Sequence, residues 1–257
     1  MATGSLRRPG PPPRTPQLIP TPLHWGNYSR AFALVDIVRY SINSLVLAAF
    51  VVPLTLLFAS WAGFGMSRLA PRSTGALVGL SLGALMVPAS ALLVPRFAMY
   101  RWIGNQVGWS VIDTYIPLIA PSLLGMSPFF VLVYYWSFRR VPEELYEAAR
   151  LEGLGPLGTW WRMALPLVRP VTAAVALLTF VLSWSNFVDP LIYLSNEDRF
   201  TLPLGLRSLA QLDAANYPVL LAGSLAATLP VVLALLVSQR YFLGRASIGW
   251  IGPSWRG

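Results

Sequence analysis

Long uncharged apolar runs recur five times along the chain, and charged residues collect in the stretches between them. A helix needs roughly 20 mostly apolar residues to cross the hydrocarbon core of a bilayer, so the runs predict membrane spans over 40–66, 76–95, 115–138, 171–193 and 219–242. The first three contain no charge. Pro117, Pro121 and Pro128 are expected to bend the third or loosen its first half. The fourth holds one acid, Asp189, and the fifth meets Arg240 at its end, where a guanidinium can reach the interface. A closed barrel would instead show ten-residue segments of alternating hydropathy, and none is visible. The pattern therefore predicts an all-α integral membrane protein with five transmembrane helices.

Three polar stretches separate the spans. Residues 1–30 are rich in proline and arginine, which reads as an extended loop or tail without an apolar run long enough for a signal peptide. Residues 195–218 read as a loop with a short interfacial helix. The connection 139–170 is the longest polar stretch and carries structure of its own. Its segment 142–150 (PEELYEAAR) opens like a helix, with proline at the first turn and acids where the helix dipole favours negative charge. Glu152, Gly153, Leu154, Gly155 and Pro156 interrupt it, and an amphipathic piece over 157–164 follows. The product is a helix, a glycine turn and a helix against the membrane face. On physics alone it is equally a docking element for a soluble partner or an amphipathic loop resting on headgroups.

Composition narrows the chemistry. Of the 257 residues 55% are hydrophobic and 11% charged, against about 25% charged in soluble domains, which excludes a disordered regulator, a secreted disulfide scaffold and a DNA-binding domain. There is no cysteine, so thiol catalysis and thiolate metal sites are ruled out, and the one histidine, His24, has no second imidazole to share a metal. The net charge of +9 comes from 19 arginines without a lysine. In a membrane protein that excess points to cytoplasmic loops and anionic lipid, not to nucleic acid. Without lysine a phosphate-binding Walker A loop is impossible, so the chain cannot hydrolyse ATP. Glu143 and Glu144 are neighbours on one helix and point apart, unlike a glycosidase pair. Gly63, Phe64 and Gly65 read as close-packing positions. No enzyme activity and no cofactor are expected.

Glu147, Ala148 and Ala149, followed at fixed spacing by Gly153, Met163 and the pair Leu165 and Pro166, resemble the EAA loop of bacterial ABC-importer permeases. Methionine stands where that family usually has isoleucine, and Glu152 where it usually has aspartate. The rest of the chain, over roughly 20–250, resembles the carbohydrate-uptake branch, of the maltose-type second permease. The pieces are Asn43, Ser44 and Leu45; Trp184, Ser185, Asn186 and Phe187 with Pro190 and Leu191; Thr201 to Leu206; and Gln239 to Phe242. The resemblance implies that 143–166 is the coupling helix that sits in a cleft of a cytoplasmic ATPase. Glu143, Glu144, Glu147, Ala148, Ala149, Glu152, Gly153, Met163, Leu165 and Pro166 are then its coupling residues. It also implies a second homologous permease, a dimeric ATPase and an extracytoplasmic substrate-binding protein or lipoprotein as partners in a plasma membrane. A sugar or oligosaccharide is the expected substrate, with glycerol phosphate esters and polyamines left open. The alternative class is an ion-coupled secondary transporter or channel-like protein without an ATPase, which would usually show repeats and several intramembrane charges.

An ionisable group inside a span is by default a functional hypothesis. Asp189, with Asn186 three residues before it on one predicted helix face, is expected to line the translocation path or to serve as a helix-end group. Trp184 and Tyr193 are suited to stack on a sugar ring or to anchor at the interface, and Asn43 is equally ambiguous. The domain plan is an extracytoplasmic proline-rich segment 1–39, a permease domain 40–243 containing the cytoplasmic EAA loop 139–170, and a cytoplasmic tail 244–257. Placing the EAA loop inside leaves ten arginines inside and four outside when 1–39 is left out, but nine outside when it is counted. That conflict with the positive-inside rule, together with a family fold of six helices and a likeness of Gly4, Ser5, Leu6 and Arg7 to the segment after the family's first helix, predicts that a helix precedes Met1 or that the subunit has only five.

Overall fold

The computed structural model describes residues 1–10, 22–123, 127–211 and 216–246, and among them every regular element is helical. Parts of the N-terminal segment (11–21), the third predicted span (124–126), the loop before the last span (212–215) and the C-terminal tail (247–257) lie outside the described residues. The elements are α1 (Ala2–Ser5), α2 (Gly26–Leu34), α3 (Ile37–Ser67), α4 (Pro71–Met86), α5 (Leu93–Val107), α6 (Ile116–Leu123), α7 (Pro128–Arg139), α8 (Glu143–Leu151), α9 (Pro156–Gly158), α10 (Leu165–Leu167), α11 (Arg169–Ser185), α12 (Val188–Tyr193), α13 (Leu202–Gly205), α14 (Arg207–Ala210) and α15 (Tyr217–Ala246).

Among the described residues three helices are long and apolar enough to cross a membrane by length and composition: Ile37–Arg68, Ile116–Arg139 and Tyr217–Gln239. The count rises to five if two bent pairs each make one span, Pro71–Met86 with Ala89–Val107 at 88° and Pro156–Leu167 with Arg169–Ser185 at 84°. The second predicted span is thus not a single helix, and the fourth is broken between Ser185 and Val188, after the 84° bend that precedes it. Val87 precedes Pro88 and is pushed into extended conformation (φ −76, ψ 118), which ends α4. Pro190 has no amide to donate and its ring crowds the carbonyl four residues back, that of Asn186, so α11 ends at Ser185 and α12 restarts at Val188. The outer faces of the long helices stay apolar: on α15 Leu229, Leu233, Leu236 and Val237 are all more than half exposed, as lipid or a partner subunit requires.

The chain divides into two compact units. The first comprises Met1–Val51, Pro88–Pro121 and Phe180–Val231. Ala31, Val35, Ile37, Trp184, Leu202, Leu209 and Val219 form its core, with Tyr100, Val111 and Tyr193 as a smaller cluster. Residues 1–10 and 22–35 are folded into this unit, where an extended loop or tail was expected over 1–30. Buried Asn27 donates its amide to the carbonyls of Ser5 and Arg7, both at 2.7 Å, and Ala31 of α2 lies in the core.

The second unit comprises Val52–Val87, Ser122–Thr179 and Val232–Gly257. Its core joins Phe64 of α3 to Phe130, Tyr134 and Phe138 of α7, Tyr146 of α8, and Trp160 and Ala164 of the following segment. The helices α3 and α7 approach closely at Gly63, where an added Cβ would lie 2.8 Å from both the Tyr135 amide nitrogen and the Val131 carbonyl. Gly65, two residues on, has open space around it.

Candidate coupling site

The polar connection 139–170 folds as a helix, a tight turn and a second helical segment. Pro142 caps α8, and Glu143 and Glu144 fill its first turn, where free amides attract carboxylates. After Leu151 the chain reverses at Gly153, whose φ of +78 lies in the left-handed region open to glycine. The amide of Leu154 then closes on the carbonyl of Ala149 at 3.0 Å. The expected turn glycine therefore occupies the conformation only a glycine takes without strain. The segment that follows is α9, a π-helical turn over Thr159–Ala164, and α10. The wider π ladder turns Trp160 and Ala164 inward and leaves Trp161 exposed.

Burial sorts the ten expected coupling residues into two sets. Glu143, Glu144, Glu147, Ala148, Glu152 and Gly153 are exposed, whereas Ala149 is buried and Met163, Leu165 and Pro166 are half-buried, with Met163 and Leu165 packed on the core of the unit. The second set holds the two segments together; the first faces out. Among the described residues Glu144, Glu147 and Glu152 have no ion pair or side-chain hydrogen bond. Glu143 is different: its carboxylate accepts from Arg68 at 2.8 and 3.0 Å and pairs with Arg150 at 3.5 Å.

Arg68 and Tyr146 were not singled out from sequence. The guanidinium of Arg68 sits 3.8 Å from the centre of the Tyr146 ring. The buried Tyr146 hydroxyl donates to the carbonyl of Phe138 at 3.1 Å. Burial raises the pKa of this phenol, against the lowering effect of Arg68, so it stays neutral at physiological pH. The available signal was positional: Tyr146 and Ala149 are three apart and define the inner face of α8. A cavity of about 460 Å³ beside this face is lined by Trp61, Gly65, Arg68, Tyr146, Arg150 and Thr159, among others.

The expected path residues all lie in the first unit. Trp184 is buried, stacks on Phe180 and donates its indole N–H to the Ala227 carbonyl at 3.0 Å. Asn43 donates to the carbonyls of Asp198 and Phe200 at 2.8 and 3.0 Å. Tyr193 is fully buried, stacked on Phe97 and edge-on to Tyr100. Trp184 and Tyr193 are held in internal packing, whereas Asn43 is half-buried and held by its backbone partners. Asn186 and Asp189 are half-buried, and their three-residue spacing makes a cap, not a shared helical face. The Asn186 side-chain oxygen Oδ1 accepts from the Asp189 backbone amide at 3.3 Å while its side-chain nitrogen donates to the Asp189 carboxylate at 2.9 Å. Arg96 of α5, which the sequence did not mark, pairs with Asp189 at 3.5 Å.

Comparison with known proteins places this architecture. Residues 28–243 match the family model described as binding-protein-dependent transport system inner membrane component. The arabinooligosaccharides transport system permease protein AraQ of Bacillus subtilis (strain 168) is 34% identical over 83% of this chain and 73% of its own length. The lactose transport system permease protein LacG of Rhizobium radiobacter is 30% identical over 84% and 77%. A chain from the crystal structure of a bacterial ABC transporter that imports the acidic polysaccharide alginate shares the fold, with a TM-score of 0.75 at 19% identity, covering 94% of this chain and 88% of that one. The chain belongs to the family of binding-protein-dependent transport system inner membrane components, the non-catalytic permease subunits of ABC importers.

Proposed function

We propose that this permease forms half of the translocation path for a sugar or oligosaccharide and is driven through its 143–166 loop by a separate ATPase. Membership of the ABC permease family replaces the alternative of an ion-coupled secondary transporter. The two relatives named for arabinooligosaccharides and lactose favour a saccharide over a glycerol phosphate ester or a polyamine. The observation that carries the coupling role is the outward face of α8: an acid, Glu147, exposed and unpaired among the described residues, beside small Ala148, on a helix fixed from behind by buried Tyr146 and Ala149. A short side chain at 148 lets a partner approach, and a free carboxylate offers it an ion pair. In this reading the 139–170 loop and the chain's end face the cytoplasm, residues 1–39 lie outside, and the partners are a second permease, two ATPase copies and a binding protein. Asn186 and Asp189, with their half-exposed polar edge, are assigned to the path.

Transport follows by linkage: ATP drives the switch between inward and outward openings only to the extent that it binds one state of the complex better. The test is Glu147→Arg in the complex reconstituted in liposomes. Uptake of the binding protein's sugar is expected to fall at least about tenfold while the permeases still assemble, since a reversed charge at a close pair costs more than its removal. Full uptake by an intact complex would remove the docking role.

A further inference from the structure

The acids of the coupling loop divide their labour. Glu144, Glu147 and Glu152 are free among the described residues, whereas Glu143 is held by Arg68, the residue that follows the last turn of α3. Arg68 is itself held three ways: by both oxygens of Glu143, by the face of the Tyr146 ring 3.8 Å away, and by the Ser67 hydroxyl at 3.4 Å. Tyr146 in turn donates to the last turn of α7 at Phe138 and lies against Phe64 of α3, ring centres 6.3 Å apart. Arg150, about two turns further along α8, closes on the same carboxylate. Three helix ends of the second unit, those of α3, α7 and α8, therefore meet on one arginine and one tyrosine.

We propose that Arg68, Glu143 and Tyr146 form the latch by which a displacement of α8 is imposed on the inner end of α3; they are positioning residues, and the proposal rests on the coupling role of the 143–166 loop. A half-exposed ion pair contributes little to stability by itself. Its value here is directional. One terminal nitrogen of Arg68 takes both oxygens of Glu143 while the guanidinium centre lies over the Tyr146 ring and Nε reaches Ser67; these three contacts fix both the distance and the azimuth of α8 relative to α3, so the two move together as rigid elements. The neighbouring cavity sharpens the point: with open space beside Gly65 and Arg68, close packing is interrupted there, and α8 would slide past α3 without the latch.

The chain has no cysteine, so a single one introduced by Leu151→Cys, at the exposed end of α8, reports docking by cross-linking to a cysteine placed in the ATPase cleft. Arg68→Gln, Tyr146→Leu and the exchange Arg68→Glu with Glu143→Arg are compared in the assembled complex for cross-linking, ATP hydrolysis and sugar taken up per ATP. Arg68→Gln and Tyr146→Leu are expected to keep the cross-link and lower uptake per ATP by roughly 3- to 30-fold, the range seen when residues along a coupling network are removed. The charge exchange restores the ion pair but sets an arginine at 143 beside Arg150 and a carboxylate over the Tyr146 ring, so it is expected to recover part of the loss, which a merely structural defect would not do. If Tyr146→Leu fails to assemble, Tyr146→Phe and Arg68→Lys decide: the phenylalanine, which keeps the ring face, must retain coupling, and the lysine, whose one nitrogen cannot hold Glu143, Ser67 and the ring face at once, must lower it. Unchanged uptake per ATP in Arg68→Gln with the cross-link present overturns the latch. A cross-link missing from the otherwise unaltered chain overturns instead the coupling role on which it rests.

Discussion

At Asp113 the backbone enters the left-handed region, φ 64, which a short polar side chain tolerates better than most. That conformation aims the carboxylate at the amides of Ser195 and Asn196, 2.8 and 2.9 Å away, and at Arg199, whose guanidinium also binds the Asp113 carbonyl. The Asn196 amide, then that of Ser195 and the charge of Arg199, outweigh desolvation and hold the Asp113 pKa below the ordinary carboxylate value. A depressed folded-state pKa stabilises above the unfolded value of about 4 and ceases to do so as pH falls through the folded one. Asp113→Asn, which keeps the turn and one acceptor, is thus expected to lower the melting temperature of the detergent-solubilised protein at pH 7, with the gap to the unaltered chain closing below about pH 4. A gap constant with pH would deny the carboxylate its role. Asp113 was illegible in sequence because its partners lie some 80 residues away, beyond any local pattern. Gly153 was legible because a turn's need for positive φ is local. Glu143 was legible only as one of several loop acids; its pairing needed Arg68, 75 positions away.

Helices show the same division. The apolar runs located α3 and α15 to within a few residues, because burial in lipid demands continuous apolarity and nothing else. Hydropathy counts do not register proline, so the second and fourth runs read as whole spans although Pro88 and Pro190 divide them. Packing between helices was half visible. Gly63 and Gly65 looked alike, but only Gly63 lies against the backbone of α7. Gly63→Ala is expected to cost about 1–3 kcal/mol, because two backbones must move apart for one methyl group. Gly65→Ala, with open space around it, should be neutral or stabilising by a few tenths up to about 1 kcal/mol, since alanine restricts the unfolded chain. Thermal unfolding of the two variants checks the pair, and equal losses would mean that the close approach is absent.

On the scale of the molecule, the break between α11 and α12 decides what Asn186 can do in transport. Its amide caps α12 and touches Asp189, which Arg96 neutralises, so a polar cluster sits half-exposed within an apolar segment. Asn186→Ser keeps a capping oxygen and loses the amide donor; Asn186→Leu loses both. If the cluster lines the path, both variants should lower sugar uptake by roughly tenfold, the worth of one good hydrogen bond, with assembly and ATP hydrolysis intact. Normal uptake by Asn186→Ser with poor assembly of Asn186→Leu would confine Asn186 to capping. The sequence by itself determined that the chain is helical and embedded in a membrane, that it cannot hydrolyse ATP, and that a helix–glycine turn–helix joins its third and fourth apolar runs. Those properties follow from composition, from the 20-residue period of the bilayer and from spacings of a few residues, all of which are local. Only the tertiary structure decided that Trp184 is held in packing and Asn43 by distant backbone carbonyls, that 1–10 and 22–35 fold into the first unit, and that Glu143 faces Arg68 while Glu147 faces out. Each of these depends on side chains brought together from distant positions, where the cost of an unpaired buried polar group or an empty core selects the neighbour, and no local pattern encodes that choice.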